Sequence, residues 1–104
     1  MFPYYHLKNN LVIARKPVRV HLEILPRKQF KGQRYIKLVC RVTGYPIPTI
    51  TFTRNRKRIF RPLIKSDVTI RITRRKPARL SGNYGCTATN DNESASDYNE
   101  IMVY

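Results

Sequence analysis

Apolar and polar residues alternate with period two in five stretches of this chain. They are Val18-Arg-Val20-His-Leu22-Glu-Ile24, Ile36-Lys-Leu38-Val-Cys40-Arg-Val42, Ile50-Thr-Phe52, Val68-Thr-Ile70-Arg-Ile72 and Tyr84-Gly-Cys86-Thr-Ala88. Successive side chains of a strand point to opposite faces, so each stretch offers one face for burial and leaves the other to water. Pro26, Lys31-Gly32, Pro46, Pro48, Pro62 and Lys76-Pro77 fall between the stretches, where they break pairing or set turns at intervals suited to short strands. No stretch keeps helical spacing for three turns. The pattern predicts an all-β fold, and 104 residues suffice for one domain with a sandwich core. Met1 to Asn10 lacks clean alternation and is expected as an N-terminal tail or linker, leaving residues 11–104 as the domain.

Two segments carry more than periodicity: Cys40-Arg-Val-Thr-Gly44-Tyr-Pro46-Ile-Pro48-Thr-Ile50-Thr-Phe52, and Gly82-Asn-Tyr84-Gly-Cys86-Thr-Ala88-Thr-Asn90. From Val18 to Tyr104 the chain resembles an immunoglobulin domain, most closely the I-set type, with the first segment similar to strands B to C and the second to strand F. The resemblance implies a two-sheet antiparallel sandwich in which Cys40 and Cys86 form an inter-sheet disulfide. It also puts Tyr84 at the tyrosine corner, two residues before the second cysteine. Three positions depart from the family pattern. Phe52 stands where a buried tryptophan is usual, Leu80 replaces an aspartate at the E to F corner, and Glu93 replaces a glycine in the F to G turn.

By themselves, two cysteines are compatible with free thiols in the cytosol or a disulfide outside it. On the resemblance they bridge, and closing a loop of this length stabilises by roughly 4 kcal/mol in the chain-entropy treatment. Asn92-Glu93-Ser94 is an acceptor triplet for N-glycosylation at the expected F to G turn, which makes Asn92 a candidate modification site. Met1 to Arg15 has no continuous apolar core of signal-peptide length, and no stretch is long and apolar enough for a membrane span. The expectation is an extracellular domain, either secreted or part of a larger secreted or cell-surface protein.

Charge narrows the picture further. Twenty-one Lys and Arg against six Asp and Glu give a net charge of +15, beyond what solubility asks of a small domain. Asp91, Glu93, Asp97 and Glu100 follow Asn90, where no basic residue occurs, so the first ninety residues hold every cation against only Glu23 and Asp67. The cations gather in three clusters: Arg27, Lys28, Lys31 and Arg34; Arg54, Arg56, Lys57 and Arg58; Arg74, Arg75, Lys76 and Arg79. On the immunoglobulin topology these belong to the A′ to B, C to C′ and E to F connections, which share one pole, while the B to C and F to G loops share the other. All twelve are therefore expected to converge, without acidic partners, on a polyanion-binding pole. Like charges brought together destabilise the compact state, and a polyanion relieves that.

Heparan sulfate is the polyanion expected outside the cell, since arginine forks match sulfate as they match phosphate. An acidic receptor or matrix protein is the next partner. Nucleic acid fits poorly, because the clusters lack interleaved aromatics and a recognition helix. The rival reading is an intracellular cytoskeletal scaffold domain whose basic patch meets actin or another acidic protein surface. Catalysis is not expected. His6 falls in the expected tail and His21 on a polar strand phase, and the carboxylates are few and concentrated at the last strand. No Cys-x-x-Cys or paired Cys/His spacing suggests a metal, and no glycine-rich phosphate loop suggests a cofactor. Tyr45 and Ile47 could form an adhesive tip at the pole opposite the cations, or pack on their own proline-rich turn.

Overall fold

A computed structural model describes residues 4–8, 11–91 and 93–104. Among the described residues nine strands follow in order: β1 (Tyr4–Lys8), β2 (Leu11–Leu25), β3 (Tyr35–Tyr45), β4 (Thr49–Arg54), β5 (Lys57–Arg58), β6 (Leu63–Ile64), β7 (Asp67–Thr73), β8 (Gly82–Thr89) and β9 (Ser94–Ile101). A 3-10 turn, Pro77–Leu80, joins β7 to β8. One sheet runs β1-β2-β3-β7 and the other β5-β4-β8-β9, with β6 also on β4. All pairs are antiparallel. Each of the five alternating stretches lies inside a strand. Within residues 1–10, expected as a tail or linker, Tyr4–Lys8 pair with Leu11–Arg15.

The apolar phases meet between the sheets. Leu22, Ile36, Leu38, Ile50, Phe52, Leu80, Tyr84 and Ala88 are buried there, and the Cys40–Cys86 disulfide ties β3 to β8 across a Cα separation of 6.4 Å. Each large aliphatic or aromatic side chain so buried contributes about 1.5–3 kcal/mol. Phe52 stands directly opposite Cys86 in the β4–β8 register and is wholly enclosed, filling the place of the family's tryptophan. The missing aspartate at position 80 leaves the corner intact. The Tyr84 hydroxyl donates to the backbone carbonyl of Leu80 at 2.6 Å, a contact that needs no particular side chain there, while the leucine itself joins the core.

The long strand β2 is held on both sides, by different means. A ladder pairs it with β3, irregular between Lys16 and Arg19, where Pro17 supplies no N–H. Opposite that irregularity Gly44 takes φ +144°, and a Cβ on it would stand 3.1 Å from the Val18 backbone. Towards β9 the contacts are side chain to backbone. Glu93 accepts the Val18 N–H at 2.8 Å, Asp97 accepts the Leu22 N–H at 2.7 Å, and Asn99 donates to the Leu22 carbonyl at 2.7 Å. The acidic character of the last strand thus closes the sandwich, and Glu93 does so from the turn where a glycine is usual.

Candidate anion-binding surface

Strand registers decide which loops share an end. Tyr35 pairs with Thr73, Arg54 with Tyr84, and Gly82 with Ile101, so the β2–β3, β4–β5 and β7–β8 connections all leave the sandwich at one end, where the chain also reaches Tyr104. Backbone hydrogen bonds knit them together. Arg74 N–H donates to the Arg34 carbonyl at 2.8 Å, Gly32 N–H to that of Tyr104 at 2.9 Å, and Asn55 N–H to that of Asn83 at 2.7 Å.

Each loop has its own anchor. Gln33, wholly buried, accepts the Phe30 N–H through its side-chain oxygen and donates to the Tyr35 carbonyl, which fixes the loop carrying Arg27, Lys28, Lys31 and Arg34. Nothing in the sequence pattern marked this glutamine, because a lone polar residue in a polar loop looks like any other. Asn55 and Arg56, at φ +51° and +68°, make the tight turn between β4 and β5, and the Asn55 side chain accepts the Asn83 N–H. Two positive φ values are the hairpin geometry that usually selects Asn-Gly. Arginine in the second place costs about 1 kcal/mol. The third loop turns through Pro77–Leu80 and is pinned by Leu80.

Eleven of the twelve expected cations are exposed: Arg27, Lys28, Lys31, Arg34, Arg56, Lys57, Arg58, Arg74, Arg75, Lys76 and Arg79. Arg54 differs, because its side chain turns inward and its Nε and Nη2 donate to the Ser81 carbonyl at 3.1 and 2.6 Å. It clamps one basic loop to another. The expectation that no acid neutralises the set needs one correction: Glu23 accepts from Arg27 Nε at 2.6 Å and lies 3.6 Å from Arg41. Among the described residues, Arg27 is the one member of the twelve with a carboxylate in ion-pair range. Tyr84, under this end, has its phenol pKa raised above the ordinary 10.0 because burial disfavours the phenolate, with the Arg54 charge and hydrogen bond opposing.

The opposite end is built differently. Arg15, buried, donates to both carboxylate oxygens of Asp91 at 2.8 and 2.9 Å, and the Asn90 side chain donates to the Pro46 carbonyl. Tyr45 and Ile47 are about half exposed there, at 50% and 54%. Ile47 and Pro46 border an open depression with Thr49, Thr89, Asn90 and Asp91. Asn92, the candidate glycosylation site, lies outside the described residues. His21 is exposed, 3.9 Å from Asp97. His6 falls among residues whose side chains are not described.

The chain matches the immunoglobulin domain family over residues 17–90. It belongs to that family. Solved immunoglobulin structures agree with the fold. A chimeric titin Z1Z2 carrying a decorin peptide is 22% identical, with a TM-score of 0.66 over 86% of this chain and 97% of that one. A four-domain N-terminal piece of Dscam1, isoform 6.9, is 26% identical with a TM-score of 0.67; 86% of this chain aligns, but only 22% of that one. Titin domain M7 is 23% identical over 74% of this chain and 84% of its own, with a TM-score of 0.62. No curated protein matches the chain. Among the described residues of this immunoglobulin domain, no helix is long and apolar enough to cross a membrane.

Proposed function

We propose that this immunoglobulin domain is a non-catalytic, extracellular binding module whose basic end holds heparan sulfate or a similar sulfated polymer while another surface meets a protein in adhesion or receptor organisation. One observation carries the reading: three loops fixed to one another by hydrogen bonds present eleven exposed cations on one end, with a single carboxylate partner among them. Arg56 adds support. A bulky residue kept in a left-handed turn conformation is strain, and strain retained on a surface suggests that the side chain is wanted there. The disulfide supports an oxidising compartment.

Retention on immobilised heparin tests this. The unmodified domain should elute well above physiological salt. Replacing Arg56, Lys57 and Arg58 with glutamine, or Arg74, Arg75 and Lys76, should each lower the eluting salt more than the same change at Lys16, Arg19 and Lys65, which are exposed away from this end. Arg15 is unsuitable as a control because its ion pair is structural. Elution of the unmodified domain at or below about 0.15 M salt overturns the reading. Equal losses from all three sets leave only diffuse attraction by net charge.

The likeness to titin domains favours a second reading, an intracellular scaffold domain whose basic end meets actin or another acidic protein surface. Thiol counting on protein taken from its native source separates the two. No free thiol fits export, and two free thiols fit the scaffold.

A further inference from the structure

Two cations outside the three loop clusters stand face to face on the outer side of the four-stranded sheet. Lys37 on β3 and Arg71 on β7 are direct register partners, and both are exposed. Like charges directly opposite one another on antiparallel strands are destabilising. Lysine or arginine on an edge strand guards it against pairing with other chains, and β7 is an edge of its sheet. That explanation does not extend to Lys37, because β3 is an interior strand between β2 and β7.

Nor is Arg71 simply extended into water. Its guanidinium sits 4.3 Å from the centroid of the Tyr35 ring, a cation–π contact that turns it toward the basic end. Arg34 precedes that tyrosine, and its carbonyl takes the Arg74 N–H; Arg74 in turn folds back so that its Nη1 donates to the Thr73 carbonyl at 2.8 Å. Lys37 and Arg71 therefore share this outer face with Tyr35, the Arg71 guanidinium already oriented, while the cations Arg34 and Arg74 adjoin it at the basic end. None has a carboxylate in ion-pair range among the described residues. Glu23, on the neighbouring strand, is engaged by Arg27 and Arg41, and Asp67, at the far end of β7, accepts the Val42 N–H.

We infer that Lys37 and Arg71 form a sulfate-binding site on the outer face of the four-stranded sheet, so that a sulfated glycan runs from the basic end, past Arg34 and Arg74, up along β3 and β7. Side chains rising from directly paired residues, whose Cα atoms stand about 4.5–5.5 Å apart, can both reach one tetrahedral anion between them. A sulfate placed there converts the repulsion between Lys37 and Arg71 into attraction to a shared partner. The inference rests on the glycan reading of the basic end, and it adds a direction to it: beyond the loops the polymer continues along β3 and β7.

The test uses the intact domain and a fully sulfated heparin hexasaccharide. Lys37→Gln with Arg71→Gln should weaken binding about tenfold, as expected for two exposed charge contacts, and lower the salt slope by roughly 1.8. Lys16→Gln with Arg19→Gln, at the other end of the same sheet, should change it by less than about threefold. Without ligand, Lys37→Glu should raise the thermal midpoint, since it turns a repulsive pair into an attractive one. The Tyr35 ring resonances should shift on titration. Wild-type affinity in the Lys37/Arg71 double variant, with binding still lost on replacing Arg74, Arg75 and Lys76, overturns the sheet-face site and leaves the glycan reading standing. Failure of the unmodified domain to bind the hexasaccharide overturns both.

Discussion

The two ends of this sandwich treat charge in opposite ways. At one, Arg15 is buried and forked onto Asp91, and Glu93 caps a backbone N–H of β2, so charge holds strand to strand. At the other, cations are exposed on loops that hydrogen bonds hold together, and among the described residues a single glutamate reaches one of them. The contrast separates two uses of an arginine. Arg15 and Arg54 turn inward and satisfy internal acceptors, whereas Arg56, Arg75 and Arg79 show no acceptor within the described chain. Matched charge is architecture here, and unmatched charge is what the proposed glycan contact would use.

Removing the core that both ends share should have the largest effect. Phe52→Ala should cost about 3–5 kcal/mol, a large part of what a small domain has, and urea unfolding measures it. Heparin retention should fall with the fold. If the unfolded variant still bound as tightly as the native domain, composition rather than assembly would explain binding and the contrast between the ends would lose its meaning. A loss below about 1 kcal/mol would show that Phe52 does not fill the tryptophan's place.

Breaking the matched end comes next. Asp91→Asn should destabilise by about 1.5–3 kcal/mol, since it removes the charge from a forked hydrogen-bonded pair whose arginine is buried. Arg75→Gln and Lys76→Gln at the unmatched end should change stability by less than about 0.5 kcal/mol. Similar losses at both ends would erase the distinction.

Alkali probes the junction between core and basic end. The folded domain keeps a proton on Tyr84 that the unfolded chain releases near pH 10.0, so this contribution to stability is complete below that pH and is lost as pH rises through the higher folded value. Unfolding midpoints followed upward from about pH 8 should fall more steeply for wild type than for Tyr84→Phe. Parallel curves would mean that the buried hydroxyl ionises as freely as one in water. A gain in stability sharpens the contrast most. Arg56→Gly should raise stability by about 1 kcal/mol by relieving the left-handed arginine, and should weaken heparin binding at the same time.

Much of this was legible in the chain because period-two alternation and two cysteines with their flanking residues are local signals. The five alternating stretches became strands, the disulfide formed, and topology alone sent three basic loops to one end. What remained hidden depends on pairing across the sequence. The Arg15–Asp91 fork joins residues 76 apart, and Asp97 reaches Leu22 from a similar distance. The Lys37–Arg71 pair exists only once the β3–β7 register is known, because neither residue stands in a run of cations. Arg54 belonged to a cluster by sequence, yet its inward phase on β4, opposite Tyr84, makes it a clamp. Leu80 shows the converse, a departure from the family pattern that changes little because the corner uses a backbone carbonyl.

The salt dependence of affinity for a defined heparin oligosaccharide tests the assembled basic end most directly. Each anionic contact contributes roughly 0.9 to the slope of log affinity against log salt, so a site of about six contacts predicts a slope near −5 for the unmodified domain. Replacing Arg74, Arg75 and Lys76 should reduce its magnitude by about 2–3, while replacing Lys16, Arg19 and Lys65 should leave it within about 0.5 of the original. A slope that shrinks equally for both sets would contradict a localised site and reduce the basic end to a share of the net charge.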